Sequence, residues 1–172
     1  LYEKFQVNRG LRRSDGTGVV AGLTKVCNVH GYVLNEGELE PIPGELIYRG
    51  YQITDLVRAV EQEKRFGYEE SAYLLLFGKL PTETELSEFR SLLAEYRELP
   101  DGFVIDMIAK APSNNIMNKM ARSVLALYSY DPECESQTLE NELRIAISMI
   151  ARLPVIMTSA YQVKRQHFDG ES

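Results

Sequence analysis

At Gln52 the apolar residues of this chain change their spacing, and that change constrains the fold more than any other feature. Before it, residues 17–50 are rich in Val, Gly, Tyr and Pro and hold only short β-branched stretches. Val19-Val20, Thr24 to Val29 and Glu45 to Arg49 read as extended segments of a small β element. Asn35-Glu36-Gly37 and Pro41-Ile42-Pro43-Gly44 read as the turns between them. Proline has no N–H to give a ladder, so any strand near Pro41 and Pro43 is expected at a sheet edge.

After Gln52 the period is 3.6. Ile53, Leu56, Val57 and Val60 form one stripe on a helix expected to end at Gly67. Tyr68 to Phe77 is apolar almost all round, the pattern of a helix buried on several sides, and Gly78 stands where a left-handed C-terminal residue belongs. Thr82 and Glu85 have capping-box spacing, ahead of a stripe of Leu86, Phe89, Leu93 and Tyr96. Phe103 to Lys110 predicts a short helix closed by Pro112, and Ser113 is the expected cap of the next, with its line at Ile116, Met120, Val124 and Leu127. The last helix carries Leu139, Leu143, Ala146, Ile147 and Ile150 and keeps its period beyond Pro154 through Met157, Ala160 and Tyr161. A kink is therefore expected at the proline, not an end. About six helices and one small sheet make a mainly α protein.

Composition narrows the function classes. With 172 residues, 44% of them hydrophobic and 26% charged, the chain is neither a disordered tail nor a disulfide-stapled miniprotein. A net charge of −6 disfavours a nucleic-acid surface, which needs clustered Lys and Arg. The longest unbroken apolar run is Ala72 to Phe77, much shorter than a bilayer span, so no membrane partner is expected. Two cysteines, Cys27 and Cys134, lie far apart and read as reduced thiols of a cytoplasmic protein. Residues 1–26 hold five basic groups against two acidic ones, while the rest of the chain is acidic. Such a basic lead-in is either a site for an anionic ligand or a solvated surface segment.

The search for chemistry finds little. Gly16-Thr17-Gly18 lacks the later glycines and the Lys-Ser/Thr of a phosphate loop. Cys27 and His30 could form half of a metal site, but His167 and Cys134 are the only other His and Cys, so no metal is expected. No Gly-x-Ser-x-Gly occurs. Glu83, Glu85, Glu88 and Glu95 share one polar helix, and Glu69 and Glu70 open another, where they complement the helix dipole. Tyr128, Tyr130 and Tyr161 read as core or interface aromatics with a polar tip. No residue presents itself as catalytic.

The string GELIYRGYQITDL, residues 44–56, closely resembles the RYRGY-x-I-x-x-L signature of citrate synthases. GYEESAYLLLFGKLPTETEL (67–86), NIMNKMARSVLALYSYD (115–131) and IARLPVIMTSAYQ (150–162) resemble successive segments of that family in the same order. The opening GLRRSDGTGVVAGLTKVCNVHGY (10–32) is most similar to citrate synthases of anaerobic Gram-positive bacteria.

The resemblance implies an almost wholly helical, two-domain homodimer that condenses acetyl-CoA with oxaloacetate and hydrolyses the citryl-CoA formed, without a cofactor. An Asp abstracts the methyl proton, one His stabilises the enol and another polarises the oxaloacetate carbonyl. It places those residues after Ser172, so the chain is expected to be an N-terminal fragment, inactive alone, that continues past its last residue. Residues 1–50 would then be an N-terminal arm with the β element and residues 51–172 the helical part of the large domain, without the small domain and active site. Neither His30 nor His167 falls in a family motif. Arg12 matches in position an arginine that in some members approaches the phosphates of CoA. A 2-methylcitrate synthase and a non-catalytic helical interaction module are the alternative readings.

Overall fold

The computed structural model describes residue 4 and residues 24–170. The chain divides into two compact units, Leu1–Leu86 and Ser87–Ser172.

In the first unit, strands β1 (Cys27–Asn35), β2 (Glu38–Tyr48) and β3 (Tyr51–Gln52) form an antiparallel sheet in that order. The expected Asn35-Glu36-Gly37 turn closes the β1–β2 hairpin, with Glu36 and Gly37 both at positive φ (48° and 91°), the geometry that suits the right-handed twist of the strands. Pro41 to Gly44 is not a turn, as the sequence suggested, but part of β2. Two features accommodate it. The register shifts between His30 and Tyr32, so that Ile42, Pro43 and Gly44 lie opposite Gly31 alone, and β3 pairs only with Ile47 and Tyr48. Over the prolines β2 therefore has a ladder on one side only, and the missing N–H groups cost little. Val19-Val20 and Gly16-Thr17-Gly18 lie outside the described residues.

Helix α1 (Ile53–Gln62) follows β3 directly. It stops before Gly67, because Lys64 turns to φ 53°. Gly67 instead precedes α2 (Tyr68–Phe77), and a Cβ built there would lie 2.6 Å from Val60 Cγ1. The Val60 side chain of α1 lies against the Gly67 backbone, too close for a side chain there unless the valine shifts. Gly78 ends α2 as expected, at φ 79°, its N–H donating to Leu74 O at 2.8 Å. Of the α2 residues Leu74 alone is fully buried, while Tyr68 and Phe77 are exposed, so the helix is less enclosed than its sequence suggests.

Helix α3 (Glu83–Tyr96) begins with the predicted capping box, Thr82 N–H donating to Glu85 Oε2 (2.8 Å) and Glu85 N–H to Thr82 Oγ1 (3.3 Å). Phe89 and Leu93 are its buried residues.

In the second unit a π-helix (Val104–Ala109) leads to α4 (Ile116–Leu127), a 3₁₀ turn (Tyr128–Tyr130) and α5 (Leu139–Phe168). The cap of α4 is Asn115, whose Oδ1 accepts from Asn118 N–H (2.9 Å), and not Ser113; the Ser113 hydroxyl instead accepts from Asn115 N–H (3.1 Å). Phe103, Ile108, Leu127, Ile156 and Ala160 form the core cluster, with Ile116, Met120 and Met149 packed against it. Tyr130 places its ring edge-on to Phe103, centroids 5.6 Å apart.

Helix α5 runs unbroken through Pro154, as its periodicity predicts, and Thr158 Oγ1 donates to Pro154 O at 2.8 Å. Its 30 residues include a stretch of mean hydropathy 1.5, long and apolar enough to cross a membrane by length and composition. Within this unit it is the core helix. Ile147, Ala151, Ile156 and Ala160 are buried, and it packs against α4 and the π-helix.

Candidate functional site

The residues 48–51, the centre of the signature string, form the two-residue turn between β2 and β3, with Arg49 at φ 49° and Gly50 at φ 93°. This turn directs the Arg49 side chain onto α2. Its Nε and Nη2 both donate to Leu75 O, at 3.2 and 2.8 Å, in the last turn of the helix. Carbonyls there lack intrahelical partners and carry the negative end of the helix dipole, so a guanidinium fork suits them. Arg49 thus fastens the sheet to α2. Beside this clasp a cleft of about 210 Å³ is lined by Tyr51, Asp55, Leu56, Ala59, Val60, Glu70, Ser71 and Leu80. Glu70 is drawn to Arg65, and that guanidinium, paired with Glu70 and also Glu63, holds its proton more tightly than usual. The cleft is largely apolar, and its Glu70 is engaged by Arg65.

A second cleft, of about 230 Å³, lies between α4 and α5, lined by Val124, Leu127, Tyr128, Asp131, Cys134, Ile145, Ser148, Met149 and Arg152. Its rim is a connected polar network. Arg144 Nη2 donates to both Asp131 oxygens (2.9 and 2.7 Å) and its Nε to Asn141 Oδ1 (2.8 Å). The buried Asn141 donates from Nδ2 to Glu133 O and Ser136 O, each at 2.8 Å. Arg144 holds the Asp131 carboxyl below the usual carboxylate range. Tyr128 donates to Glu135, which, with Cys134 nearby, pushes the phenol pKa up. Arg152 Nε donates to Glu98 O at 3.0 Å. Arg144 and Asp131 neutralise each other, and with Asn141 they position the start of α5.

At the start of α4 Lys119, 2% exposed, is the one buried lysine among the described residues. Its Nζ donates to Met107 O (2.9 Å) and to Ala111 O. In the i→i+5 pattern of the π-helix, seen in Lys110 N–H to Ile105 O (3.0 Å), the partner of Met107 O would be Pro112, which has no N–H. Lys119 supplies the missing donor. Burial lowers the pKa of its ammonium, and Arg122 lowers it further.

Of the sequence-predicted candidates, Arg12 lies outside the described residues. Cys27 and His30 stand three apart on β1, an odd spacing that puts their side chains on opposite faces, so they do not converge on a metal. Among the described residues no group of three or more His, Cys, Asp or Glu could hold a metal ion. His167 packs against Phe168 at the end of α5 (4.6 Å between rings). Lys119, Asn141 and Arg144 escaped the sequence reading because polar residues on a helix look solvated until the partner elements are in place. The one available signal was position: Lys119 lies three residues after Ile116 and eight before Leu127, on the apolar line of α4.

A family model described as "Citrate synthase, C-terminal domain" matches residues 12–171. The citrate synthase of Saccharolobus solfataricus is 37% identical over 123 residues, 70% of this chain and 30% of that protein. 2-Methylcitrate synthase 1 of Corynebacterium glutamicum is 28% identical over 94% of this chain and 36% of its own length. Among solved structures, citrate synthase from Pyrobaculum aerophilum aligns with a TM-score of 0.67 at 27% identity, covering 91% of this chain and 39% of that one. The ternary complex of carboxymethyl coenzyme A and oxaloacetate with the Thermoplasma acidophilum citrate synthase aligns with a TM-score of 0.68, covering 85% of this chain and 34% of that one; at 22% identity it speaks to the fold alone. The chain spans about a third of the length of the curated relatives it matches. The helical order, the small sheet and the match over nearly all residues agree: this chain belongs to the citrate synthase family.

Proposed function

We propose that the protein is a citrate synthase, an acyltransferase that joins the methyl carbon of acetyl-CoA to the carbonyl carbon of oxaloacetate and releases CoA by hydrolysis. The observation that carries this reading is the family match over residues 12–171. The described residues contribute scaffold: the Arg49 clasp, the α4–α5 core and the network at the start of α5 hold helices in place and offer no acid–base pair. The 172-residue chain alone is therefore inactive. Arg12, in the basic lead-in, contacts a phosphate of CoA; the protein works in the cytoplasm as a homodimer, on a route that oxidises two-carbon units.

The 2-methylcitrate synthases among the relatives support a second reading, with propionyl-CoA as the acyl donor. The test is thiol release followed spectroscopically, for the 172-residue chain and for the intact protein in which the sequence occurs. The chain gives no release; the intact protein releases CoA from acetyl-CoA and oxaloacetate. Faster release from propionyl-CoA selects the second reading, and none from either donor supports a non-catalytic helical interaction module. In the intact protein Arg12→Ala raises KM for acetyl-CoA and leaves that for oxaloacetate unchanged.

A further inference from the structure

The cleft between α4 and α5 holds two polar groups whose bonding capacity the protein leaves unused. Ser148 lines it and is only 5% exposed. The helical hydroxyls of Ser91 and Thr158 turn back to the carbonyl one turn earlier, Ser87 O at 3.1 Å and Pro154 O at 2.8 Å. The Ser148 hydroxyl makes no such bond and has no partner among the described residues. A buried hydroxyl in that state costs free energy unless an occupant of the cleft bonds to it. Arg152 lines the same cleft. Its Nε donates to Glu98 O at 3.0 Å, while its two terminal nitrogens meet no acceptor among the described residues. Ser148 and Arg152 stand one turn apart on α5, so a single small group can reach both.

We propose that this cleft binds a short-chain carboxylate, its oxygens held by the Arg152 terminal nitrogens and the Ser148 hydroxyl and its apolar body lying among Val124, Leu127, Ile145 and Met149. Charge selects an anion. Asp131, the one acid in the lining, is already matched by Arg144, which donates to both of its oxygens, so the Arg152 guanidinium is the unmatched charge of the cleft. Glu135, the acid nearby, is not part of the lining and accepts from the Tyr128 hydroxyl. The walls select a monoanion with an apolar body. A phosphate dianion would find one cation and one hydroxyl and would leave its other oxygens against hydrocarbon. A planar carboxylate matches the paired donors at the end of a guanidinium, and about 230 Å³ of mostly apolar space suits a short alkyl chain.

Cys134 also lines the cleft and is partly exposed, so its alkylation reports whether the cleft is filled. The probe is sodium hexanoate at constant ionic strength, added to the intact protein in which the sequence occurs. Labelling by iodoacetamide is followed at Cys134 by peptide mass analysis, with the exposed Cys27 as the internal control. Hexanoate at saturation slows labelling of Cys134 by about fivefold or more and leaves Cys27 unchanged, whereas hexanol, of the same length but uncharged, protects neither. Ser148→Ala, which breaks no hydrogen bond within the protein, raises the concentration for half-protection about threefold, and Arg152→Gln raises it about tenfold. Arg152 also holds Glu98 O, so the Ser148 variant decides the matter if Arg152→Gln fails to fold. No protection by hexanoate, equal protection by hexanol, or protection that Ser148→Ala leaves unaltered overturns the proposal. None of these outcomes depends on the synthase reading.

Discussion

Replacing Lys119 by Met tests whether a buried ammonium holds the π-helix to α4. Methionine keeps the length and apolar character of the lysine stem, so the change removes the charge and its two hydrogen bonds with little loss of packing. A hydrogen bond to a charged group contributes roughly 1.5–3 kcal/mol, and a carbonyl stranded away from water costs about 1–3 kcal/mol. Against these stands the desolvation of the ammonium, which the variant no longer bears. Met107 O has no replacement donor at Pro112, and Asn115 N–H is already given to Ser113 Oγ, so Ala111 O gains none from it. The net loss is about 2–3 kcal/mol. For a chain of this size that lowers Tm by roughly 5–10 °C in a thermal melt. Urea denaturation gives the same difference from its midpoint. A Lys119→Met chain within about 0.5 kcal/mol of wild type would refute the reasoning, since the carbonyls would then have been satisfied without the lysine.

Gly67→Ala, which sets a methyl group 2.6 Å from Val60 Cγ1, destabilises the first unit by about 1–3 kcal/mol, and Val60→Ala in the same chain recovers part of that in a denaturant titration. Arg49→Lys replaces a planar fork by a point charge and costs about 1 kcal/mol, read in the same way. Lys79, with help from the Thr82 N–H, holds the Glu85 carboxyl down to about 2. A carboxylate with a depressed pKa stabilises the fold above its unfolded value, near 4.3, and loses that contribution as pH falls towards 2. Amide exchange at the first turn of α3 should accelerate across that window relative to other helix starts, and Glu85→Gln abolishes the difference.

Much of the fold was legible because its signals are local. The Thr82–Glu85 box, the Gly78 terminus and the Asn35–Gly37 turn each depend on a few adjacent residues, and each forms as read. Pro41 to Gly44 misled because proline and glycine punctuate turns and bulged edge strands alike, and only the short reach of β3 decides between them. Ser113 and Asn115 are both good caps two residues apart, and the choice falls to whichever carbonyl begins the ladder. Gly67 read as a terminator, although its reason is the approach of Val60 from α1, a tertiary fact. The family, by contrast, was legible from order: several ordinary segments in a fixed sequence identify it without any one of them carrying chemistry. The polar positions that matter most to the packing, Lys119 and Arg144, stayed hidden because their partners are backbone carbonyls and a loop aspartate, which sequence periodicity does not describe.

The Arg49 clasp also bears on how the first unit opens. Its two hydrogen bonds join positions 26 residues apart, and the closed loop contains all of α1 and most of α2. Closing a loop of that length has an entropic cost that is met once, when the clasp forms, and the elements inside it share the gain. Amide protons of α1 and of the β2–β3 turn are thus expected to exchange through one common opening, as a single foldon whose latch is a signature arginine.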